Sequence, residues 1–366
     1  MNLIHRICNC LLAAVLFCGC GNKEVTLLSQ LPVTPIVNPA IRVLIVNNEL
    51  LDVQMDNDTA IRGLTQKSLF HTGDYFDHFQ NTPYTLPPGS GQLNIDRLHI
   101  VTTSTNFLPT TITSSTDYGN SWSSISPNIP GGSSFNNGSW QIAGAQYQDD
   151  QHMLLLATQY SFNSLLGLEQ YLTMLYRMDV STGNASALLQ LPGYAAASLH
   201  FTSPDSGYLT LDTLLPQPGG GYSNRNCYFS KTTVGGQHWT RPSQIDGSES
   251  FSLLPLGGGH LFAYNGYGSG YVSGDNGATW TASVTGEQSI IAVSDVSSAI
   301  VFGLGADGLI KSTDGGSTWQ KLRGVNGSNL FFLSERAGLV YSGTTLYMTL
   351  DGGQTWRTLL YPYPYL

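Results

Sequence analysis

The sequence predicts an all-β chain folded as a β-propeller of four-stranded blades. Two observations carry this prediction. One turn pattern recurs at intervals near the ~40–45 residues of a propeller blade, and strand-like segments fall four to an interval. Composition agrees: the chain has 366 residues, is 41% hydrophobic and only 11% charged, and holds 41 Gly. So much glycine serves turns, and exposed strand faces need fewer Glu and Lys than exposed helices do.

The turn reads Ser/Thr-x-Asp-x-Gly-x-Thr-Trp. The copies are Ser312 to Trp319, Thr349 to Trp356 and Ser273 to Trp280, with Ser115 to Trp122 carrying Ser for Thr. Thr232 to Trp239 is degenerate, with Val234 in place of Asp and His238 in place of Thr. Trp239, Trp280, Trp319 and Trp356 follow one another at 41, 39 and 37 residues. The step from Trp122 to Trp239 is 117 residues, room for three periods or for two with long loops. Two weaker turns, at Asp179 and at Thr72 to Phe79 around Asp74, complete a set of seven. Seven blades is the count favoured, with six or eight as alternatives.

Each residue type has a local reason. Glycine takes φ > 0, which tight hairpin connections demand. The Asp carboxylate accepts hydrogen bonds from turn amides and the Ser or Thr hydroxyl. The Trp buries a large ring against the blade. Around the Asp314 turn the expected strands are 289–293, 299–303, 309–312 and 319–322, and the next period repeats them at 329–333, 339–342, 346–350 and 356–360. One blade cannot bury both of its faces, so a stack of blades supplies the core.

Before the fold, residues 1–19 read as a lipoprotein signal peptide. Arg6 precedes an apolar run from Leu11 to Phe17, too short to span a bilayer. Gly19-Cys20-Gly21 follows and resembles a bacterial lipobox, with Phe17 where Leu is usual. The resemblance implies that Cys20 becomes the lipidated N-terminus, and Gly21 favours the outer membrane over the inner. A plain secretory signal cleaved nearby is the alternative. Residues 20–40, with Pro32, Pro35 and Pro39, form a tether, and 41–366 a single domain. Cys8, Cys10 and Cys18 leave with the signal, so Cys227 has no partner for a disulfide. Without Arg6 the chain carries 14 Lys+Arg against 24 Asp+Glu, a net charge of −10. That balance argues against a nucleic-acid partner.

These turns resemble the BNR or Asp-box repeat of sialidases, sortilin-type receptors, xyloglucan-cleaving propellers and a photosystem II assembly factor. The resemblance implies that each Asp-box joins a blade's third and fourth strands, away from the ligand face. Asp74, Asp117, Asp275, Asp314 and Asp351, with Trp122, Trp239, Trp280, Trp319 and Trp356, are therefore expected to be structural.

Function is less legible, because fold alone does not fix it. Sialidases share an Arg-Ile-Pro segment, an arginine triad and a Tyr/Glu pair, whereas the first arginine segment here is Ile41-Arg42-Val43-Leu44, without the proline. A glycosidase needs two carboxyl groups flanking the sugar bond. Asp52, Asp149, Asp150, Glu169, Asp205, Asp246 and Glu249 are the acids off the turns, and no motif pairs them. His71, Asp74, Asp77 and His78 are close in sequence but lie in a degenerate turn, without a metal-site spacing. No catalytic residue, metal or cofactor is therefore assigned. Aromatic and polar residues cluster in the connections between second and third strands: Tyr160 and Phe162, then Tyr222, Asn224 and Arg225, then Tyr264 and Tyr267. Such residues on Gly/Ser-rich loops suit binding surfaces. The reading is a non-catalytic envelope lipoprotein that binds a protein or glycan through this face, touching the membrane only by its anchor. A sialidase-like or xyloglucanase-like glycoside hydrolase is the alternative.

Overall fold

The structure, a computed structural model, describes residues 50–55, 57, 60–65, 68–73, 79–83, 90–95, 100–104, 112–115, 121, 123–129, 139–163, 168–216, 222–245, 250–265, 268–284, 289–322, 324–343 and 345–360. The signal segment, Cys20, the tether and the side chains of Asp74, Asp77, His78, Asp117, Trp122 and Tyr267 lie outside them.

The fold is all-β, a propeller of four-stranded antiparallel sheets, and seven such sheets lie among the described residues. Sheet 1 holds β1 (Leu50–Met55), β2 (Ile61–Thr65), β3 (Ser68–Thr72) and β4 (Phe79–Pro83). Sheet 2 holds β5 (Ser90–Ile95), β6 (Ile100–Ser104), β7 (Ile112–Ser115) and β8 (Ser123–Ile125). In sheet 3 are β9 (Ser139–Tyr147), β10 (His152–Asn163), β11 (Leu168–Asp179) and β12 (Ala185–Pro192). Sheet 4 contains β13 (Ala195–Phe201), β14 (Gly207–Pro216), β15 (Tyr222–Thr232) and β16 (Ser243–Gln244). Next come β17 (Ser252–Gly257), β18 (His260–Tyr264), β19 (Gly270–Ser273) and β20 (Thr281–Ala282) of sheet 5. Sheet 6 follows with β21 (Ile290–Asp295), β22 (Val301–Gly305), β23 (Gly308–Ser312) and β24 (Gln320–Lys321). Sheet 7 ends the described chain with β25 (Asn329–Phe332), β26 (Gly338–Ser342), β27 (Thr345–Thr349) and β28 (Arg357–Leu360).

Each sheet is a meander of consecutive strands, so every pairing is between sequence neighbours. The first strands touch their counterparts in adjacent sheets, β5 to β9, β9 to β13, and on through β21 to β25 and β25 to β1. They therefore line the axis. Several carry a register shift, as between Ala196 and Ser198 or Ile290 and Ala292, which bends the strand where the ring narrows.

The core sits between sheets rather than within them. Leu154, Leu156 and Leu175 of sheet 3 pack on Leu199, Leu209 and Leu211 of sheet 4. Phe229 of sheet 4 meets Leu253 and Leu261 of sheet 5, and Phe302 stacks on Phe332 across sheets 6 and 7 at 3.6 Å. Val53, Met55 and Ile61 of sheet 1 pack on Leu339, Leu346 and Met348 of sheet 7. That last cluster closes the ring by apolar contact between the two ends of the chain.

Candidate functional site

The two rims of the ring are built differently. All seven turns singled out in the sequence fall between the third and fourth strands of a sheet. Ser312 shows the turn's chemistry. Its hydroxyl accepts from Gly316 N at 2.8 Å and donates to Asp314 Oδ1 at 2.8 Å. Asp314 in turn accepts from the Thr318 amide at 2.8 Å and hydroxyl at 2.6 Å. Ser273 with Asp275 and Thr349 with Asp351 repeat this network within 0.1 Å or so. The degenerate turn keeps half of it: Thr232 Oγ1 still accepts from Gly236 N at 3.1 Å, while Val234 stands 44% exposed.

The hydrogen bonds hold these carboxylates in the charged form. The Thr279 hydroxyl leads in lowering Asp275 to about 2, and the Ser181 hydroxyl leads in lowering Asp179 to about 2. At Asp314 burial pushes upward, but the Thr318 hydroxyl and amide outweigh it and the net shift is down. A carboxylate already saturated with local donors is a turn component. The amide one residue on also ties the turn to the first hairpin of its own sheet, as Gly315 N to Ala299 O at 2.9 Å and Asn276 N to Gly259 O at 2.8 Å. The first-to-second and third-to-fourth connections thus share one rim.

The same turns key adjacent sheets together. A Cβ on Gly277 would stand 2.1 Å from Phe229 Cε1, one on Gly316 2.7 Å from Phe262 Cδ2, and one on Gly353 2.3 Å from Leu309 Cδ2. Gly236 receives Leu188 and Gly183 receives Ile125 in the same way, at 3.2 and 3.1 Å. In every case the incoming side chain belongs to the preceding sheet. The Trp rings follow suit: Trp280 packs edge-on to Phe229 at 5.5 Å, and Trp319 lies 5.5 Å from Phe262. The sequence leads one to expect the ring against its own blade, and the rings serve both blades: Trp239 lies edge-on to Phe201 of its own sheet at 6.1 Å, and a Cβ on Gly303 of the same sheet as Trp319 would stand 3.1 Å from that ring.

The opposite rim carries the second-to-third connections, and here sheets 3 and 4 depart from the rest. Strands β10 and β11 have 12 residues each, and β14 and β15 have 10 and 11, against 4 or 5 for their counterparts in the other sheets. The register locates the excess. Strand β9 reaches only Tyr160 and β12 only Leu172, whereas β10 and β11 continue to Asn163 and Leu168. Likewise β13 reaches only Asp212, while β14 and β15 run on to Pro216 and Tyr222. Two neighbouring hairpins therefore outrun the ring by three to five residues per strand on one rim.

Five of the candidate residues stand on these extensions. Tyr160 pairs with Tyr171 and Phe162 with Glu169, while Tyr222, Asn224 and Arg225 pair with Pro216, Leu215 and Leu214. The sequence places all five in connecting loops, and the structure puts Tyr160 and Phe162 on β10 and Tyr222, Asn224 and Arg225 on β15. Alternating apolar and polar residues past Ala157 were the available signal, masked by Ser161 and Asn163. Tyr264 differs more. It ends β18, stacks on Phe262 at 5.9 Å within the cluster between sheets 5 and 6, and burial raises its hydroxyl pKa. Just past it, Asn265 Oδ1 accepts from Ser269 N at 2.9 Å.

The base of the second hairpin holds polar groups that the sequence did not single out. Asp212 is buried, accepts a hydrogen bond from Ser250, and faces Cys227 across the strand pair. Burial foremost, and then the Asp212 charge, push the fully buried Cys227 thiol up to about 12. Cys227 is a free cysteine. Gln146 pairs through its amide with both Phe201 N and O, at 2.8 and 2.9 Å, and Thr158 and Thr173 bond to Ala196 N and Tyr194 O. Sheets 3 and 4 are thereby stitched at both ends, by Gln146 near the turn rim and by Thr158 and Thr173 near the hairpins. Of the acids considered for hydrolysis, Asp149 and Asp205 lie in first-to-second connections on the turn rim. There Asp149 caps its own turn and contacts His152 at 2.8 Å. Asp246 and Glu249 lie outside the described residues. His71 is exposed on β3, and the rest of its proposed cluster lies outside the described residues.

No family model matches this sequence, and no curated protein matches it. Solved structures do. YCF48 bound to D1 peptide is 18% identical, with 83% of this chain and 92% of that one covered and a TM-score of 0.51. An acylaminoacyl peptidase from Pyrococcus horikoshii is 10% identical, covering 87% of this chain and 53% of that one, TM-score 0.53. The β-propeller domain of the Trilobed protease from Pyrococcus furiosus, described as having an open velcro topology, is 10% identical over 85% and 95%, TM-score 0.50. At these identities the likeness shows the β-propeller fold alone.

Proposed function

We propose that this chain is a lipid-anchored envelope protein whose propeller is a binding scaffold, and that it takes a protein partner on the rim opposite the Asp-box turns. The observation that carries the reading is the pair of adjacent hairpins that outrun the ring there. Past Tyr160 and Asp212 these hairpins have no first strand to pair with, and functional residues tend to sit on elements held out by a rigid scaffold. Tyr and Arg, present at 160, 222 and 225, are among the residues enriched at protein interfaces. Among the described residues the turn rim has no such extension, and its Asp-box carboxylates are occupied with their own loops. A similar fold, YCF48, is described with a bound peptide, which agrees with a binding role for this architecture.

The test uses the full chain in its own envelope. A photo-crosslinking residue placed at Phe162 or Asn224 is expected to give discrete protein adducts, and one at Gly274 on the turn rim none. With the crosslinking residue at Asn224, replacing residues 161–170 by an Asn-Gly turn should weaken the adducts while leaving the fold intact, since Tyr160 and Tyr171 are already paired. Equal adducts from both rims, or glycan cleavage with no protein adduct, would sink the reading. For the anchor, Cys20→Ser should move the protein from the membrane to the soluble fraction, and retention in the membrane would exclude lipidation there.

A further inference from the structure

In five of the sheets the first strand covers the second almost to its end. Leu50 pairs with Thr65, Ser90 with Ser104, Ser252 with Tyr264 and Ile290 with Gly305, each the last residue of its second strand. Asn329 pairs with Tyr341, one residue short of the end. That cover matters, because the open side of a strand is a row of unpaired N–H and C=O groups that can pair with an extended chain. Sheets 3 and 4 break the pattern, and in sheet 4 the residues leading into the first strand are themselves described. Strand β13 begins at Ala195, opposite Asp212, while β14 runs on through Thr213, Leu214, Leu215 and Pro216. The segment before Ala195 does not extend the cover, because it belongs to sheet 3. Pro192 pairs with Leu172, Gly193 N donates to Tyr171 O at 2.7 Å, and Tyr194 O accepts from Thr173 Oγ1 at 2.8 Å.

The ladder identifies the open groups on that edge. Strand β15 turns its odd-numbered residues outward, since Cys227 O accepts from Ile245 N at 2.9 Å and Lys231 O from Thr240 N at 2.9 Å. Hydrogen-bonded and non-hydrogen-bonded pairs alternate along an antiparallel ladder. Asp212, opposite Cys227, and Leu214, opposite Arg225, therefore direct their backbone groups inward, to the side of β13. Asp212 meets Ala195 there, whereas the N–H and C=O of Leu214 have no backbone partner among the described residues. We propose that the protein partner is held as an extended peptide segment, which adds to this inner edge of β14 as a strand and bonds the N–H and C=O of Leu214. The proposal rests on the reading of the hairpin rim as the protein-binding rim. Such an edge selects a backbone: main-chain hydrogen bonds supply affinity, and alternate side chains of the added strand supply specificity. Pro216, which has no N–H, confines the pairing to a short segment.

The test uses the full chain in its envelope, with the photo-crosslinking residue at Asn224. Leu214→Pro removes the inward N–H and spares the ladder to β15, which uses the backbone groups of the residues on either side. Protein adducts should fall about tenfold or more, whereas Leu214→Ala, which keeps the N–H, should hold them within about twofold of the unaltered chain. An ester in place of the amide between Thr213 and Leu214 removes the same donor without a ring, and decides the matter if Leu214→Pro does not fold. Undiminished adducts in the ester chain, or an equal loss in Leu214→Ala, would overturn strand addition and leave the hairpin rim as a protein-binding rim. An adduct consisting of two copies of this chain would put a second copy on the edge and overturn the proposal as well. The absence of any adduct from the unaltered chain would instead sink the hairpin-rim reading, and the strand addition with it.

Discussion

The turns at Asp314 and Val234 are two versions of one structure, and their difference shows what the motif is for. Both place a hydroxyl on the amide four residues later, at 2.8 Å from Ser312 and 3.1 Å from Thr232. Both direct the Trp ring nitrogen to the same turn carbonyl, Trp319 to Gly316 at 3.0 Å and Trp239 to Gly236 at 2.9 Å. Both seat a neighbour's side chain on the glycine. Only the second half differs, since Val234 has no carboxylate to receive the residue four positions on, which is His238 rather than Thr. The motif's most conspicuous residue is thus its most dispensable one. The hydroxyl, the glycine and the ring make the turn and join it to the next sheet, and the Asp tightens it.

That ranking can be broken by mutation, starting with the largest effect. Gly277→Ala puts a Cβ 2.1 Å from the Phe229 ring and requires φ near +81° of an L side chain. Overpacking and backbone strain together should cost about 3 kcal/mol or more, measured by denaturant unfolding. Gly257→Ala has the same φ of +81° with open space around it, so it should cost only about 1 kcal/mol. Equal losses would mean that backbone freedom, not the socket, is what glycine supplies.

Next comes Ser312→Ala, which leaves the buried Gly316 N–H without its acceptor and should cost about 1–3 kcal/mol. Asp314→Ala, at an exposed position, should cost less. The reverse order would make the carboxylate the primary element after all. The smallest effect is that of pH. The turn carboxylates have folded-state pKa values below their unfolded ones, so their contribution is complete above the unfolded value and is lost as pH falls through the folded one. For Asp275 and Asp179 that window runs from about 4 down to about 2. Unfolding followed across this range should show declining stability, less steep in Asp275→Asn. An unchanged slope in that variant would remove Asp275 from the account.

The paired hairpins offer the second contrast, between regular and elongated sheets. Sheets 6 and 7 repeat closely enough in sequence that their strands could be placed to within about two residues, the usual limit for boundaries. Sheets 3 and 4 fall in the 117-residue gap between Trp122 and Trp239, where the period gives no ruler. Tyr160, Phe162, Tyr222, Asn224 and Arg225 were legible as a composition suited to binding. That they ride on two adjacent strand extensions was not, because extension depends on where flanking strands stop, and β9, β12 and β13 stop for reasons of their own pairing. Tyr264 shows the converse. Its Gly-rich surroundings read as a loop, yet the ring is drawn into the seam between sheets 5 and 6.

By itself the sequence determined the repeat, the turn chemistry and the all-β architecture, since each rests on contacts within a few residues or on a spacing that can be counted. Tertiary structure alone decided which sheet each turn glycine and Trp serves, which strands outgrow the ring, and how the ends meet. Those outcomes depend on neighbours brought together by ring closure: Phe229 reaches Gly277, and Leu339 reaches Val53's cluster, across distances along the chain that no local pattern encodes.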